Sequence, residues 1–274
     1  MIRQGGLVAI FCAALALAAS LASAEETGGE IAGDYALAGA TAKGDGYQGS
    51  VAIAPNGRTF RLQWTRPAPL ERRGFALRLD NVLGVVADDP SADYGIVLYR
   101  VKGGHLEGIW RSDNGRTARR IGDENLDGPA SLEGRFEISL GRNPDGSQYG
   151  GWVEIKRAGA IYLVDWYTPQ PRYIGTGVLM GNVFVVGYGA EHRSGVAAYC
   201  LQSLALIEGI TGAAADDAIG AEILWPRSAA PVEDPSPRLD LIQDRGTADC
   251  APPIAGNPTP PEPPLPEPVV VTSR

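Results

Sequence analysis

The strongest constraint on the fold is an internal repeat of about 100 residues. Residues 31–127 and 131–226 share one order of aromatic and glycine residues, and the offset between matching positions varies from 98 to 102. Solenoid repeats are about 20 to 50 residues long, so this period matches a whole small domain. We therefore expect two copies of one domain. The matching pairs include Tyr47 and Tyr149, Trp64 and Trp166, Gly74 and Gly175, Tyr99 and Tyr199, and Glu124 and Glu222.

Short segments that alternate between apolar and polar residues predict strands throughout both repeats. Residues 60–64 and 75–79 alternate in this way, and Pro55-Asn56-Gly57 is typical of a tight hairpin turn. Strand spacings of about 10 to 15 residues leave no room for crossover connections, so neighbouring strands should pair antiparallel. In the first repeat, eight strands are expected to begin near Gly33, Tyr47, Phe60, Phe75, Val82, Ile96, Leu106 and Ile121.

Eight strands are enough to close a barrel, and closure removes the exposed edges of an open sheet. We therefore predict an all-β fold of two tandem antiparallel up-and-down barrels, one formed by residues 31–127 and the other by residues 131–226. A β-sandwich, or one larger barrel shared by both repeats, is the alternative. The predicted strands span about five to seven residues, fewer than the roughly 9 to 11 that a membrane-spanning strand needs.

The two ends of the chain differ in composition from the repeats. Residues 1–24 combine Arg3, an apolar stretch from Leu7 to Leu21 and the small residues Ala22-Ser23-Ala24, which is typical of a signal peptide. The apolar stretch is short for a membrane span. We expect an exported protein, periplasmic or extracellular, without an integral membrane span. Residues 227–274 hold twelve of the 21 prolines and are predicted to be an extended or disordered tail.

Two cysteines, Cys200 and Cys250, follow the signal peptide. An exported chain with two cysteines favours one disulfide, here closing a loop of about 50 residues and attaching the tail to the second repeat. Two unpaired thiols are the alternative. The formal net charge of −8 argues against a nucleic-acid partner and leaves the oligomeric state open.

The sequence contains no pattern typical of catalysis. Its two histidines, His105 and His192, lie in predicted loops, and the chain has no nucleophile elbow and no phosphate-binding glycine loop. A zinc site would need more histidine and cysteine ligands than the mature chain offers. We therefore expect a protein that is not an enzyme and that has no cofactor and no metal site.

Residues present in both repeats are interpreted as structural, because a fold needs each feature twice while a binding site need exist only once. Glu124 and Glu222 are expected to accept backbone hydrogen bonds where the last strand meets the first, and a ligand-facing carboxylate is the alternative. Trp64 and Trp166 are interpreted as core residues. A cavity lined by them is the alternative, since an eight-stranded barrel either fills completely or holds one small ligand.

Aromatic residues that the repeat does not require are candidates for binding. Trp110, Trp152 and Tyr167 belong to this group, and we expect them to form a surface patch. The leading hypothesis is a secreted or periplasmic binding protein whose partner is a protein or a polymer. One alternative is a small-ligand carrier with a cavity inside a barrel. Another is an inhibitor of a basic, envelope-degrading enzyme, which only the acidic charge supports.

Several motifs of the second repeat suggest a family. They are Asn143-Pro144-Asp145-Gly146 followed by Tyr149 and Gly151, then Gly181-Asn182-Val183, Val186-Gly187-Tyr188-Gly189 and Gly220-x-Glu222. This pattern resembles exported bacterial repeat proteins commonly labelled fibronectin-binding proteins, over roughly residues 31–226. The first repeat departs from it, with Ala87-Asp88-Asp89 in place of an aromatic-glycine turn. The resemblance implies an exported, β-rich binding protein and identifies no ligand-contacting residue.

Overall fold

A computed structural model describes residues 31–65, 71–87, 93–113, 121–169, 172–189, 193–245 and 250. The predicted signal peptide, His192 and the last part of the predicted tail, residues 251–274, lie outside the described residues. Seventeen strands and one helix make up the regular structure of the described part. No helix among the described residues has the length and the apolar character needed to cross a membrane.

Eight strands lie in the first repeat. They are β1 (Gly33–Ala40), β2 (Gly46–Asn56), β3 (Thr59–Thr65), β4 (Glu71–Leu79), β5 (Val82–Ala87), β6 (Tyr94–Lys102), β7 (His105–Ser112) and β8 (Gly122–Asp127).

The remaining elements lie in the second repeat and in the tail. They are β9 (Gly134–Arg142), β10 (Gln148–Tyr149), β11 (Trp152–Ala158), β12 (Ile161–Tyr167), β13 (Tyr173–Met180), β14 (Val183–Gly189), β15 (Val196–Cys200), β16 (Ile207–Gly212), β17 (Gly220–Pro226) and α1 (Ser236–Arg245).

The strands form two closed, eight-stranded antiparallel barrels, which confirms the predicted fold class. We call the first the split barrel, because β1–β5 and β15–β17 form it from two separate stretches of chain. We call the second the inserted barrel, because the stretch from β6 to β14 forms it without interruption. In the inserted barrel β14 pairs with β6, and the short β10 pairs with β9 at its margin.

The prediction that each sequence repeat closes its own barrel is wrong. β5 pairs with β4 and β15, while β6 pairs with β7 and β14, so the first repeat contributes strands to both barrels. The inserted barrel joins the last three strands of the first repeat to the first six of the second. The physical reason is burial: β5, β6 and β14 carry apolar residues on both faces and lie where the two barrels contact each other.

Three apolar clusters hold this architecture together. One fills the split barrel and includes Leu37 and Leu62, and one fills the inserted barrel and includes Phe136 and Phe184. The third lies between the barrels, and it draws residues from both of them and from α1. Buried apolar area is the dominant stabilising contribution in folding, so the contact between the barrels is part of the core.

The predicted strand positions agree with the structure, but the predicted lengths do not. Every strand of the first repeat begins within a few residues of its expected start. However, β2 has 11 residues, and β4, β6 and β9 have nine each. The expectation of five to seven residues is therefore too short, because exposed polar residues at strand ends continue the hydrogen-bonded ladder beyond the apolar alternation.

The predicted extended tail is wrong for residues 236–245, which form α1. Leu239 and Ile242 lie three residues apart on one face of this helix and are buried against the cluster between the barrels. Gln243 donates from Nε2 to the Thr41 and Ile219 carbonyls at 3.0 and 3.2 Å. The structure confirms the disulfide between Cys200 and Cys250, which attaches the segment after α1 to the end of β15.

Candidate binding site in the inserted barrel

Among the described residues, each barrel contains one buried glutamate, and the two glutamates lie at corresponding positions. Glu124 on β8 and Glu222 on β17 are each 3% exposed. Glu124 lies opposite Gly108 and Glu222 lies opposite Gly209 in their strand pairs. A carboxylate this deeply buried needs hydrogen-bond donors to offset its loss of hydration. The donors around the two glutamates therefore determine what each barrel end can do.

Aromatic side chains supply these donors. Oε1 of Glu124 accepts hydrogen bonds from the Tyr99 hydroxyl and, at 2.9 Å, from Trp166 Nε1, while Oε2 accepts from the Tyr149 hydroxyl at 2.9 Å. The expectation that the glutamates accept backbone hydrogen bonds is therefore wrong for Glu124. The reason is that the neighbouring strands are paired with each other through their own backbone groups.

The split barrel builds a related network around Glu222. The Tyr47 hydroxyl donates to Oε1 at 2.5 Å, and the Tyr199 hydroxyl donates to Oε2. Two phenols are therefore hydrogen-bond donors to Glu222. Trp64 lies beside Tyr199 in the core of this barrel. These side chains match those around Glu124 residue for residue, so both barrels share one arrangement of a carboxylate and aromatic donors.

Glycines opposite the aromatic residues make room for these rings inside the barrels. Gly108 pairs with Tyr99, and a Cβ at Gly108 would lie 2.4 Å from the Tyr99 ring. Gly209 and Tyr199 repeat this relation in the split barrel, where the distance would be 2.3 Å. Cross-strand pairs of aromatic residues and glycine are a known means of stabilising sheets. The glycines of the sequence repeat therefore position the rings that hold the glutamates.

Burial and hydrogen bonding act against each other on Glu124. Burial raises the pKa of the Glu124 carboxyl, while the hydrogen bonds from Tyr99, Trp166 and Tyr149 favour the ionised form and limit the rise. Burial and the nearby Glu124 carboxylate raise the pKa of Tyr99 and of Tyr149. The two phenols consequently stay protonated and keep donating to Glu124 over the physiological pH range.

A cavity of about 410 Å³ opens beside Glu124 at one end of the inserted barrel. Exposed residues at its rim, among them Gln148 and Pro169, connect it to solvent. We call this cavity the barrel pocket. Its lining comprises Val97, Trp110, Ser112, Glu124, Asn143, Gln148, Tyr149, Trp166, Thr168, Pro169, Tyr173 and Tyr188.

Five of the twelve lining residues are aromatic. The ring of Tyr188 lies 5.6 Å from that of Trp166, with 53° between the planes, and 5.4 Å from that of Tyr173, at 74°. On the other side, the rings of Trp110 and Tyr149 are 6.3 Å apart at 75°. Because the planes are steeply inclined, the rings form adjoining walls of one space and do not fill it as a stack.

Trp110 combines an apolar wall with a polar donor. Its indole lies over Gly122, where a Cβ would come within 2.5 Å of Nε1. Nε1 is shielded from solvent and makes no hydrogen bond of normal geometry among the described residues. It nevertheless lies close enough to Tyr149 to oppose the rise in the pKa of that phenol. The contact with Tyr149 is thus weaker than a standard hydrogen bond.

Three of the five aromatic residues have no aromatic counterpart in the split barrel. The strand registers show which residues correspond, since the positions opposite Gly122, Trp166 and Gly175 match those opposite Gly220, Trp64 and Gly74. By this correspondence, Trp110, Tyr173 and Tyr188 are replaced by Thr211, Arg72 and Ala87. The pocket wall is therefore specific to one barrel, whereas the glutamate network is common to both.

The sequence candidates divide between two places in the structure. Trp152 and Tyr167 stack on the outside of the inserted barrel, with ring centroids 3.7 Å apart and planes 10° apart. Arg135 covers Trp152 at 4.4 Å, and Arg172 covers Tyr167 at 4.9 Å. We call these four residues the outer stack. Trp110 does not belong to it, so the expectation of a single surface patch is wrong for Trp110.

Trp64 and Trp166 are both buried, at 8% and 5% exposure. Trp166 also lines the pocket. It is therefore both a core residue, as predicted, and part of a cavity wall, as in the alternative. Tyr173 and Tyr188 were not among the sequence candidates. The available signal was the difference between the repeats, in which Ala87 stands where the second repeat has Tyr188.

The fold and the site define a two-barrel β protein with a buried glutamate in each barrel and an aromatic pocket in the inserted one. Within the described residues, no group of three or more His, Cys, Asp or Glu side chains is arranged to hold a metal ion. Comparison with known proteins found no matching family model, no matching curated protein and no matching solved structure.

Proposed function

We propose that the protein is a non-enzymatic binding protein that holds a small molecule, or a small terminal group of a larger one, in the barrel pocket. The observation that carries this proposal is the one-sided aromatic wall. Trp110, Tyr173 and Tyr188 line the pocket but are absent from the corresponding positions of the split barrel. Because the split barrel closes without these three aromatic residues, they serve something other than barrel closure.

The dimensions of the pocket support the same conclusion. Binding sites for small molecules typically have volumes of about 300 to 1,000 Å³, mainly apolar walls and a few polar groups that orient the ligand. The barrel pocket has about 410 Å³, five aromatic side chains and one buried carboxylate. This favours the small-ligand alternative over the hypothesis of a protein or polymer partner as the role of the pocket.

The outer stack supports a second candidate function, the binding of a protein or polymer on the outside of the inserted barrel. Tryptophan, tyrosine and arginine are the residues that contribute most often to protein–protein binding energy. Arg135 and Arg172 have side chains 57% and 60% exposed, and they flank the paired rings of Trp152 and Tyr167. This surface would carry the exported partner-binding role that the family resemblance implies.

Export is part of the proposal. Residues 1–24 read as a signal peptide, and a disulfide persists most readily in an oxidising compartment. We place the protein in the periplasm or outside the cell. Inhibition of a basic, envelope-degrading enzyme stays a weaker alternative, because it rests on the net charge of −8 alone.

The pocket can be tested with Trp110→Thr, which installs the residue found at the matching position of the split barrel. A panel of cationic, neutral and anionic small molecules is screened by thermal unfolding, since a compound that binds only the folded state raises Tm. We expect at least one compound to raise the Tm of the wild type. In Trp110→Thr its affinity, measured by calorimetry, should fall at least about tenfold, because one wall of the pocket is removed.

Trp152→Ala is the matched control, since it removes a tryptophan from the outer stack of the same barrel. The pocket proposal expects this variant to bind like the wild type. The opposite result, with binding lost in Trp152→Ala and kept in Trp110→Thr, would move the function to the outer stack. A panel without any binder would contradict the pocket proposal.

A further inference from the structure

Glu124 places a buried carboxyl group beside the barrel pocket, and no basic side chain among the described residues faces it. All three hydrogen bonds to Glu124 come from neutral donors, namely two phenols and one indole. Among the described residues, no lysine, arginine or histidine forms an ion pair with Glu124 or lines the pocket. A buried carboxylate without a counter-ion is costly, and a positively charged ligand would reduce that cost.

The walls of the pocket favour the same kind of ligand. Aromatic faces attract cations through the negative charge density of the ring, with tryptophan the strongest, and sites for quaternary ammonium groups are commonly built from several such rings. Trp166, Tyr188 and Tyr173 form three adjoining walls with ring centroids 5.4 to 5.6 Å apart, and Trp110 faces the pocket with Tyr149 from the opposite side.

Other ligand classes fit this pocket less well. An anion would lie beside Glu124 in a space without a single basic side chain among its described lining residues. A sugar needs many hydrogen-bond partners, but Glu124, the acidic residue among the described lining residues, already accepts three hydrogen bonds. Two neutral polar residues, the half-buried Asn143 and the exposed Gln148, also line the pocket. An organic cation uses both the charge and the rings.

The split barrel provides a natural comparison. It keeps a buried glutamate with phenol donors, but at the position of Tyr173 it carries the basic residue Arg72 on β4. Trp110 and Tyr188 are replaced there by Thr211 and Ala87. The cation-attracting features therefore come together in the inserted barrel only.

We propose that the barrel pocket binds an organic cation, whose quaternary ammonium or protonated amine group lies between Glu124 and the rings of Trp110, Trp166, Tyr173 and Tyr188. This inference rests on the proposed function and adds the chemical class of the ligand. The split barrel, which carries Arg72 at the position matching Tyr173, does not take part.

Three probes of nearly equal shape separate charge from size: choline, its uncharged isostere 3,3-dimethylbutan-1-ol, and the anion 3,3-dimethylbutanoate. Binding is measured by calorimetry and by tryptophan fluorescence at pH 8, where Glu124 is more fully ionised than at acidic pH. We expect choline to bind at least about tenfold more tightly than the alcohol, and the carboxylate to bind more weakly than either.

Glu124→Gln removes the charge and nearly preserves the shape, and Glu222→Gln makes the same change in the split barrel. We expect Glu124→Gln to weaken choline binding about tenfold and to leave the affinity for the alcohol unchanged. Glu222→Gln should bind all three probes like the wild type. Thermal unfolding of both variants checks that they fold. Trp110→Thr, which keeps Glu124, is an independent second variant, and its affinity for choline should also fall.

The outcomes distinguish the two proposals. Equal affinities for choline and the alcohol, or choline binding that Glu124→Gln does not change, would overturn the assignment of a cation. Binding of the alcohol or the carboxylate alone, lost in Trp110→Thr, would also overturn it but would leave the pocket as a binding site. If none of the three probes and no compound of the wider panel binds, both proposals are contradicted.

Discussion

Fragments 31–129 and 130–250, which separate the two sequence repeats, are expected not to fold as monomers when produced alone and to form both barrels when mixed. The first fragment holds β1–β5 of the split barrel and β6–β8 of the inserted barrel, and neither set can close. Each fragment also exposes its share of the apolar cluster between the barrels. Circular dichroism and size-exclusion chromatography should show loss of cooperative unfolding in each fragment and its recovery in the equimolar mixture.

The control for this experiment is the whole chain with a protease site in the loop between β8 and β9, cut after folding. Its strands are already paired, so the cut protein should keep its spectrum and elute as one species. A fragment that unfolds cooperatively as a monomer, with stability near that of the whole chain, would contradict the interleaved arrangement. It would mean that a single repeat can close a barrel by itself.

Loss of the disulfide is expected to have the second largest effect. Cys250→Ala should lower the free energy of unfolding by about 4 kcal/mol, because the bridge closes a loop with a sequence separation of 50 and restricts the unfolded chain. The bridge also anchors Cys250, which follows α1 in the chain. Leu239 and Ile242 of α1 are buried between the barrels. Urea unfolding of the oxidised wild type and of the variant measures this difference.

Reduction provides the matching control for the disulfide. Wild type unfolded in the presence of a reductant should lose nearly the same free energy as Cys250→Ala. Cys200→Ala/Cys250→Ala should lose little more than the single variant, apart from the space left by the second sulfur atom. A loss below about 1 kcal/mol in all three cases would show that the loop contributes little to stability.

The sequence allowed the strands to be predicted but not the exchange of strands between the barrels. Alternation shows which residues share a face and where a strand begins, as at Gly33 and Val82. It does not show which strand lies alongside. The unbroken apolar runs of β5 and β14 were the available signal, because a strand that is apolar on both faces must be covered on both.

The sequence analysis did not predict helix α1, because the prolines around it dominate the composition of the tail. Pro237 lies in the first turn of the helix. Proline has no backbone N–H, but the N–H groups of the first turn have no acceptor within the helix, so the missing donor costs nothing there. The Asp234 side chain accepts a hydrogen bond from the Ser236 amide at 3.0 Å just before it. The spacing of Leu239 and Ile242 then supplies an apolar face, which packs against the cluster between the barrels.

The sequence analysis correctly sought the candidate site among aromatic residues that the two repeats do not share. It named only some of the residues that line the pocket. Comparison of the two repeats singled out Trp110 as an aromatic residue that the fold does not require, and Trp110 lines the pocket. The same comparison could have identified Tyr173 and Tyr188. The sequence could not predict that Tyr173 and Tyr188 line the same pocket as Glu124. That arrangement depends on β13 and β14 closing a barrel with β6 and β8, which belong to the other repeat.

The exchange of strands between the barrels is the central claim, and cross-strand nuclear Overhauser effects in the labelled, full-length protein test it most directly. We expect backbone contacts between β6 and β14, with Val97 opposite Val186, and between β5 and β15, with Gly84 opposite Ala198. Contacts along β5 and β6 in an antiparallel register, with none between β6 and β14, would contradict the claim and return each barrel to a single repeat.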